Sequence, residues 1–333
     1  MIRLGIIGAG EAAHRLHLPT LEKMVVDVDV SAVVSRTTDK AEQLARRFGG
    51  SRVFSHYHEM LESSDVDAVL VTVPIHLNAA VLRDVLDSGK HVIAEKPIAA
   101  TVEEARRIVE LSSKPSQVVL IAENFRYRAD IRKARDLIAA GLIGEVFTFQ
   151  VNVRFDFGAD ISRIYMNKGW RRQPDHPGGF VLDCGIHSIA GLRDVLGEVA
   201  EVTAEIMDRD QTVSGPDSLW MQLKLRSGAI GQYFSSYTVK DDDEVFFALT
   251  AWGEKGTLRI SEGKTTYTEG KGRPVETFDF ESFDRGLWAE WTNFVGAIER
   301  GETVISTPRE ALEDLVLFDA AFRSANTGQK VIL

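Results

Sequence analysis

"MIRLGIIGAGEAA", residues 1–13, decides the fold. Residues 2–8 are almost wholly apolar, the content a strand needs when helices cover both of its faces. Directly after them comes Gly8-x-Gly10-x-x-Ala13. In this pattern the first glycine permits a tight turn and the second lets the backbone approach a pyrophosphate. A small third residue lets the next helix pack close to the strand. The start of that helix offers unpaired N–H groups to phosphate, so Gly8, Gly10, Glu11 and Ala12 are expected at a dinucleotide.

Outward from this stretch, strands rich in Val, Ile and Leu are predicted at 29–35, 67–73, 91–95 and 117–123. Between them, 38–49 and 101–113 place apolar residues at helical spacing and open on threonine caps. Such alternation predicts a doubly wound α/β domain. Beyond residue 123 the rhythm changes. A helix at 131–141 is followed by alternating apolar and polar runs at 144–157, 201–207, 218–238, 244–261 and 265–270, with turns at Ser227-Gly228 and Glu254-Lys255-Gly256. That is the pattern of antiparallel hairpins with one solvated face. Helices near 286–300 and 308–324 close the chain. The expected architecture is an α/β Rossmann domain over 1–123 and an α+β domain on a mostly antiparallel sheet over 124–333.

A length of 333 residues suits two domains, and a net charge of −10 disfavours nucleic acid as a partner. The single cysteine, Cys184, excludes an intrachain disulfide and a multi-cysteine metal cluster. No apolar run approaches the ~18 residues of a membrane span, and a strand begins at once, leaving no room for a signal peptide. A soluble cytoplasmic protein is expected.

The end of the second strand, Val34-Ser35-Arg36-Thr37-Thr38, carries no carboxylate until Asp39. Ser35 donates a hydrogen bond and Arg36 a positive charge, which favours the 2′-phosphate of NADP over the bare ribose of NAD. "VPIHLNAA", 73–80, follows a strand at the sheet edge where ligands bind; Pro74 fixes its loop and Asn78 is expected at a ribose or nicotinamide group. "HVIAEKPIAA", 91–100, ends a strand on the same edge. A lysine there, Lys96, can donate to a substrate oxygen, with Glu95 a nearby acceptor and Pro97 stiffening the turn. On "GGFVLDCGIHSIAGLRDVLG", from 178, Asp183 and His187 stand one helical turn apart beside an apolar stripe. A carboxylate so placed can orient an imidazole for proton transfer. No metal-ligand pattern accompanies the pair.

In this order and spacing, Gly8-x-Gly10, Glu95-Lys96-Pro97 and Gly178-Gly179-x-x-x-Asp183-x-Gly185-x-His187 resemble the Gfo/Idh/MocA oxidoreductases, as do "GKHVIAEKP", "IAAGLIGEV" and the closing "SANTGQKVIL". The resemblance implies a large open sheet in the second domain and hydride transfer between NAD(P) and a carbohydrate-like alcohol or carbonyl. It matches Lys96, Asp183 and His187 to catalytic positions, with His187 as acid/base, Lys96 polarising the reacting oxygen, and Asp183 holding substrate or orienting His187. Asn124, Arg126 and Arg128, and Trp170-Arg171, match segments that line the family's cleft, which puts Asn124 at the cofactor and Arg126 at the substrate. Two positions depart from the pattern: Asn78 replaces a common histidine, and Ala190 a frequent aspartate. The expected partners are a small carbohydrate-like substrate and a second copy of the chain on the outer face of the sheet. Two other readings stand beside this one: an NADP-binding regulator without activity, and an aromatic dihydrodiol dehydrogenase.

Overall fold

The computed structural model describes residues 1–157, 169–172, 176, 178–210, 215–261, 263–280 and 284–333, leaving aside the side chains of 170 and 172. Six strands form the first sheet: β1 (Ile2–Ile7), β2 (Val28–Val34), β3 (Arg52–Phe54), β4 (Ala68–Val71), β5 (His91–Glu95) and β6 (Val119–Ala122). Their order is β3-β2-β1-β4-β5-β6, with every neighbour parallel. β4 is buried at all four residues and β1 at five of six, as strands covered on both faces must be. The order reverses between β1 and β4, so the switch point, where open α/β sheets take ligands, lies at the carboxyl ends of these two strands. β3 is only three residues long and has no readable period.

Local signals shape the helices unevenly. Thr101 closes a capping box at the start of Val102–Leu111: its hydroxyl accepts from Glu104 N at 3.2 Å while the Glu104 carboxylate accepts from Thr101 N at 3.2 Å. The helix Thr38–Arg47 lacks the expected cap. Its N-cap is Thr37, which makes no side-chain bond, and Thr38 is already helical. After the glycine turn the helix is of π type over Ala13–His17 and α over Leu18–Leu21.

The second sheet has nine strands: β7 (Val146–Arg154), β8 (Val199–Met207), β9 (Ser218–Leu225), β10 (Ile230–Ser236), β11 (Val245–Gly253), β12 (Thr257–Ser261), β13 (Lys264–Thr268), β14 (Val275–Asp279) and β15 (Val331–Ile332). The order is β14-β13-β12-β11-β7-β10-β9-β8-β15, antiparallel except at β7–β10. The predicted runs 218–238 and 244–261 each resolve into two strands at the expected turns. β14 carries almost no buried residue and β15 has two residues, so neither showed in the hydrophobic pattern. Phe149, Val151, Leu219, Met221, Tyr233, Leu249 and Leu258 bury one face. On it pack the helices Gly179–Leu196, against β7, β9 and β10, and Ala129–Ala139, against β12 and β13.

The chain divides into two compact units, Met1–Glu123 with Leu287–Leu312, and Asn124–Gly286 with Glu313–Leu333. The first unit reclaims 287–312 for two physical reasons. Trp291, fully buried on the helix Leu287–Arg300, donates its indole N–H to His17 Nδ1 at 3.1 Å. The carbonyl of Ser306 accepts from Ile121 N at 3.0 Å beside β6. No helix among the described residues is long and apolar enough to cross a membrane.

Candidate active site

The glycine turn sits at the switch point. Gly8 has φ +106°, and a Cβ there would lie 2.4 Å from the Thr72 carbonyl, so glycine is required on both counts. Gly8 N donates to Val34 O at 2.8 Å, and the Thr72 hydroxyl donates to Gly8 O at 2.8 Å. Thr72 fixes this turn without any motif to announce it. A Cβ on Gly10 would meet none of the described residues within 4 Å, leaving that side open to them as backbone approach to a pyrophosphate requires. Ala13 is fully buried, in keeping with a small residue where helix meets strand. The Glu11 carboxylate accepts from Arg15 Nε at 3.0 Å on its own helix. At the end of β2, Ser35 Oγ accepts from Thr37 N at 3.4 Å and Arg36 is exposed.

Lys96 follows β5 directly, is half-buried, and joins Pro97 through a cis peptide bond. Pro74 is the N-cap of the helix Ile75–Asp87, which carries Asn78 inward to 1% exposure. The Asn78 amide donates to the carbonyls of Glu95 at 2.7 Å and Pro97 at 2.8 Å. Glu95 is buried, and its Oε1 lies 2.9 Å from His17 Nε2. An indole nitrogen only donates, so His17 Nδ1 accepts from Trp291 and the ring proton sits on Nε2, donating to Glu95. Glu290, next to Trp291 and fully buried, has no hydrogen-bond partner for either carboxyl oxygen among the described residues. Burial first, then the charges of Glu95 and Glu123, push its carboxyl well above the usual range.

In the second unit, Asp183 and His187 lie one turn apart on Gly179–Leu196. Asp183 is buried and accepts from Arg171 Nε at 2.5 Å. His187 is half-buried and stacks on Phe125, with centroids 5.0 Å apart and planes at 20°. Arg128 Cζ lies 4.4 Å from the centroid of the same Phe125 ring, and the guanidinium bonds Asp130 at 3.0 and 2.6 Å. Gly185 lets this helix approach its neighbour, since a Cβ there would lie 2.8 Å from Phe318.

Arg126, expected at the substrate, is 2% exposed, and its Nη2 donates to both oxygens of Asp314 at 2.8 Å. Asn124, expected at the cofactor, donates its amide to the Arg285 carbonyl at 2.7 Å. His17, Thr72, Phe125 and Trp291 were not singled out in the sequence. Only proximity in space gives them a role. The side chain of Trp170 lies outside the described residues. Among those residues, no group of three or more His, Cys, Asp or Glu is placed to hold a metal ion.

A parallel sheet in this order, with an open glycine turn at its switch point and a separate mixed sheet bearing an Asp/His helix, defines a two-unit dinucleotide-binding protein. Residues 2–123 match "Oxidoreductase family, NAD-binding Rossmann fold", and residues 135–333 match "Oxidoreductase family, C-terminal alpha/beta domain". An oxidoreductase from Thermotoga maritima superposes with a TM-score of 0.90 and 36% identity, over 99% of this chain and 98% of that one. D-xylose 1-dehydrogenase (NADP(+)) 2 of Haloferax volcanii is 28% identical over 99% of each chain. A levoglucosan dehydrogenase, solved with NADH and levoglucosan, shares the fold at a TM-score of 0.88 and 21% identity, over 99% of each chain. The chain belongs to the Gfo/Idh/MocA family. It is an oxidoreductase whose residues 2–123 form the family's NAD-binding Rossmann domain.

Proposed function

We propose that this enzyme transfers a hydride between NADP(H) and a sugar, polyol or related hydroxy or carbonyl compound. The observation that carries the reading is Lys96 on the ligand edge of β5, in a chain whose Asp183 and His187 share a helix turn. In the oxidative direction His187 takes the substrate's hydroxyl proton as the carbinol C–H bond breaks, and Lys96 donates to the same oxygen and steadies its developing charge. Asp183, paired with Arg171, holds the substrate or orients His187. When bound, the nicotinamide supplies the hydride acceptor or donor.

The open side of Gly10 and the forced geometry of Gly8 fit a pyrophosphate, with the N–H groups of Glu11 and Ala12 at the start of the helix. Ser35 and the exposed Arg36 supply the donor and charge a 2′-phosphate needs, and the Haloferax relative is named for NADP(+). The outer face of the second sheet carries Trp220 and Ile230 at 41% and 50% exposure, with Trp220 packed on Phe234 at 4.5 Å. This face is the proposed homodimer surface, and a monomeric mass by light scattering would remove it.

The test is a panel of pentoses, hexoses and polyols, assayed with NADP and NAD side by side. Lys96→Met is expected to lower turnover by about a thousandfold while NADPH affinity holds. Unchanged turnover in that variant on every active substrate overturns the assignment.

A further inference from the structure

The geometry points to Asn78 as a positioning residue that clamps the turn bearing Lys96 on both of its flanks. An asparagine amide nitrogen carries two hydrogens. Here one goes to the carbonyl of Glu95, immediately before Lys96, at 2.7 Å, and the other to the carbonyl of Pro97, immediately after it, at 2.8 Å. The next carbonyl, of Ile98, stands off at 3.4 Å. A single side chain thus fixes the separation of two backbone oxygens with Lys96 between them. The clamp is itself anchored, because Asn78 is 1% exposed on a thirteen-residue helix.

The Glu95 end of the clamp has a second hold. Trp291 donates to His17, and His17 donates to the Glu95 carboxylate, all three side chains being buried. His17 lies on the helix that follows the glycine turn. One hydrogen-bonded chain therefore joins that helix to the residue before Lys96. Aspartate at 78 has the shape of asparagine but no hydrogen to donate, and it would face two carbonyl oxygens with a negative charge. Histidine, the residue the family commonly carries here, offers one N–H per nitrogen and cannot serve both carbonyls from a single atom. Asparagine at 78 is what allows one nitrogen to grip both.

The inference rests on the assignment of Lys96 as a catalytic residue, so its test reads Lys96 directly as well as through turnover. Pulse acetylation with acetic anhydride across pH 6–10, with peptide mass spectrometry, gives the rate–pH curve of Lys96; Lys90, held by the carbonyls of Ser63 and Val66, is the internal control. Asn78→Ala removes both donors. Asn78→Ser retains one and is the variant to use if alanine does not fold. The expected result is a displaced Lys96 curve with an unmoved Lys90 curve, and kcat lowered by about ten- to a hundredfold, as small misplacements of a reacting group cost. KM for NADPH should hold, and serine should fall between alanine and the parent. A Lys96 curve superimposable on the parent's in the folded variants, with kcat unchanged, overturns the clamp. If Lys96→Met keeps its turnover while Asn78→Ala still displaces the Lys96 curve, the clamp stands and the catalytic assignment of Lys96 falls.

Discussion

The turn around Lys96 and the helix around His187 are held by different forces. Near Lys96 the restraints come from hydrogen bonds of an amide, an imidazole and an indole: Asn78 on two backbone carbonyls, and Trp291 and His17 behind the Glu95 carboxylate. The helix Gly179–Leu196, packed on the second sheet by its apolar residues, is pinned near its C-terminal end by charges. Arg193, near its C-terminal end, donates to Asp314 and, at 2.7 Å, to Glu198, and Asp314 also takes Arg126. Burial works against the Arg193 charge, but Asp314 and Glu198 outweigh it and raise its pKa. For Glu198, burial alone would raise the carboxyl; the Arg193 guanidinium prevails and holds it below its ordinary value. A backbone clamp fixes the carbonyls of two residues, one on each side of Lys96, while an ion-pair network fixes one end of a helix and leaves His187 to stacking on Phe125.

The sharpest way to break the comparison is Asp314→Asn. It takes from the buried Arg126 and Arg193 the carboxylate they share, leaving Arg193 with Glu198, and breaking a buried ion pair costs about 3–5 kcal/mol. Urea unfolding should show that loss; a change below 1 kcal/mol would mean that charge does not hold the second unit. His17→Ala, in the first unit, leaves the Trp291 N–H and the Glu95 carboxylate without His17, at about 2–3 kcal/mol. That variant should unfold at lower urea than the parent, and an unmoved midpoint would remove the hydrogen-bonded chain as a source of stability.

Smaller effects follow. Arg36→Ala should weaken NADPH binding by about tenfold, one charge-assisted contact, and leave NADH binding where it was. Equal losses for both nucleotides in fluorescence titration would return Arg36 to the role of a solvated surface cation. Glu290→Gln should stabilise, and only above the acid range. The parent's carboxyl is raised in the folded state, so the folded protein binds more protons there than the unfolded chain. Its stability therefore falls as pH rises from the ordinary carboxyl value toward the raised one. Glutamine escapes this, so its advantage should be absent near pH 4 and grow through neutrality, by at most about 1.4 kcal/mol per pH unit. A melting-temperature difference that does not vary between pH 4 and 8 would show that Glu290 is not carrying a shifted proton.

Much of the site was legible because its signals are local. Gly8-x-Gly10 follows a strand with no gap, Lys96 ends another, and Asp183 and His187 are four apart on one helix. Arg126 was read from its place after β6, and no window of sequence shows that it bonds Asp314, 188 residues away. Phe125, stacked on His187 across 62 positions of chain, left no trace in any window of sequence.

From the amino-acid order alone came the strand and helix rhythm, the glycine turn, the carboxyl edge of the first sheet and the proposal of Lys96, Asp183 and His187. Each depends on the period of apolar residues or on the chemistry of adjacent residues. Tertiary contacts hold the turn and the helix that carry those side chains. The bonds around them join residues 17, 95 and 291, residues 78 and 97, and residues 126, 193 and 314, and hydrogen bonds and ion pairs act through distances in space that chain order does not encode.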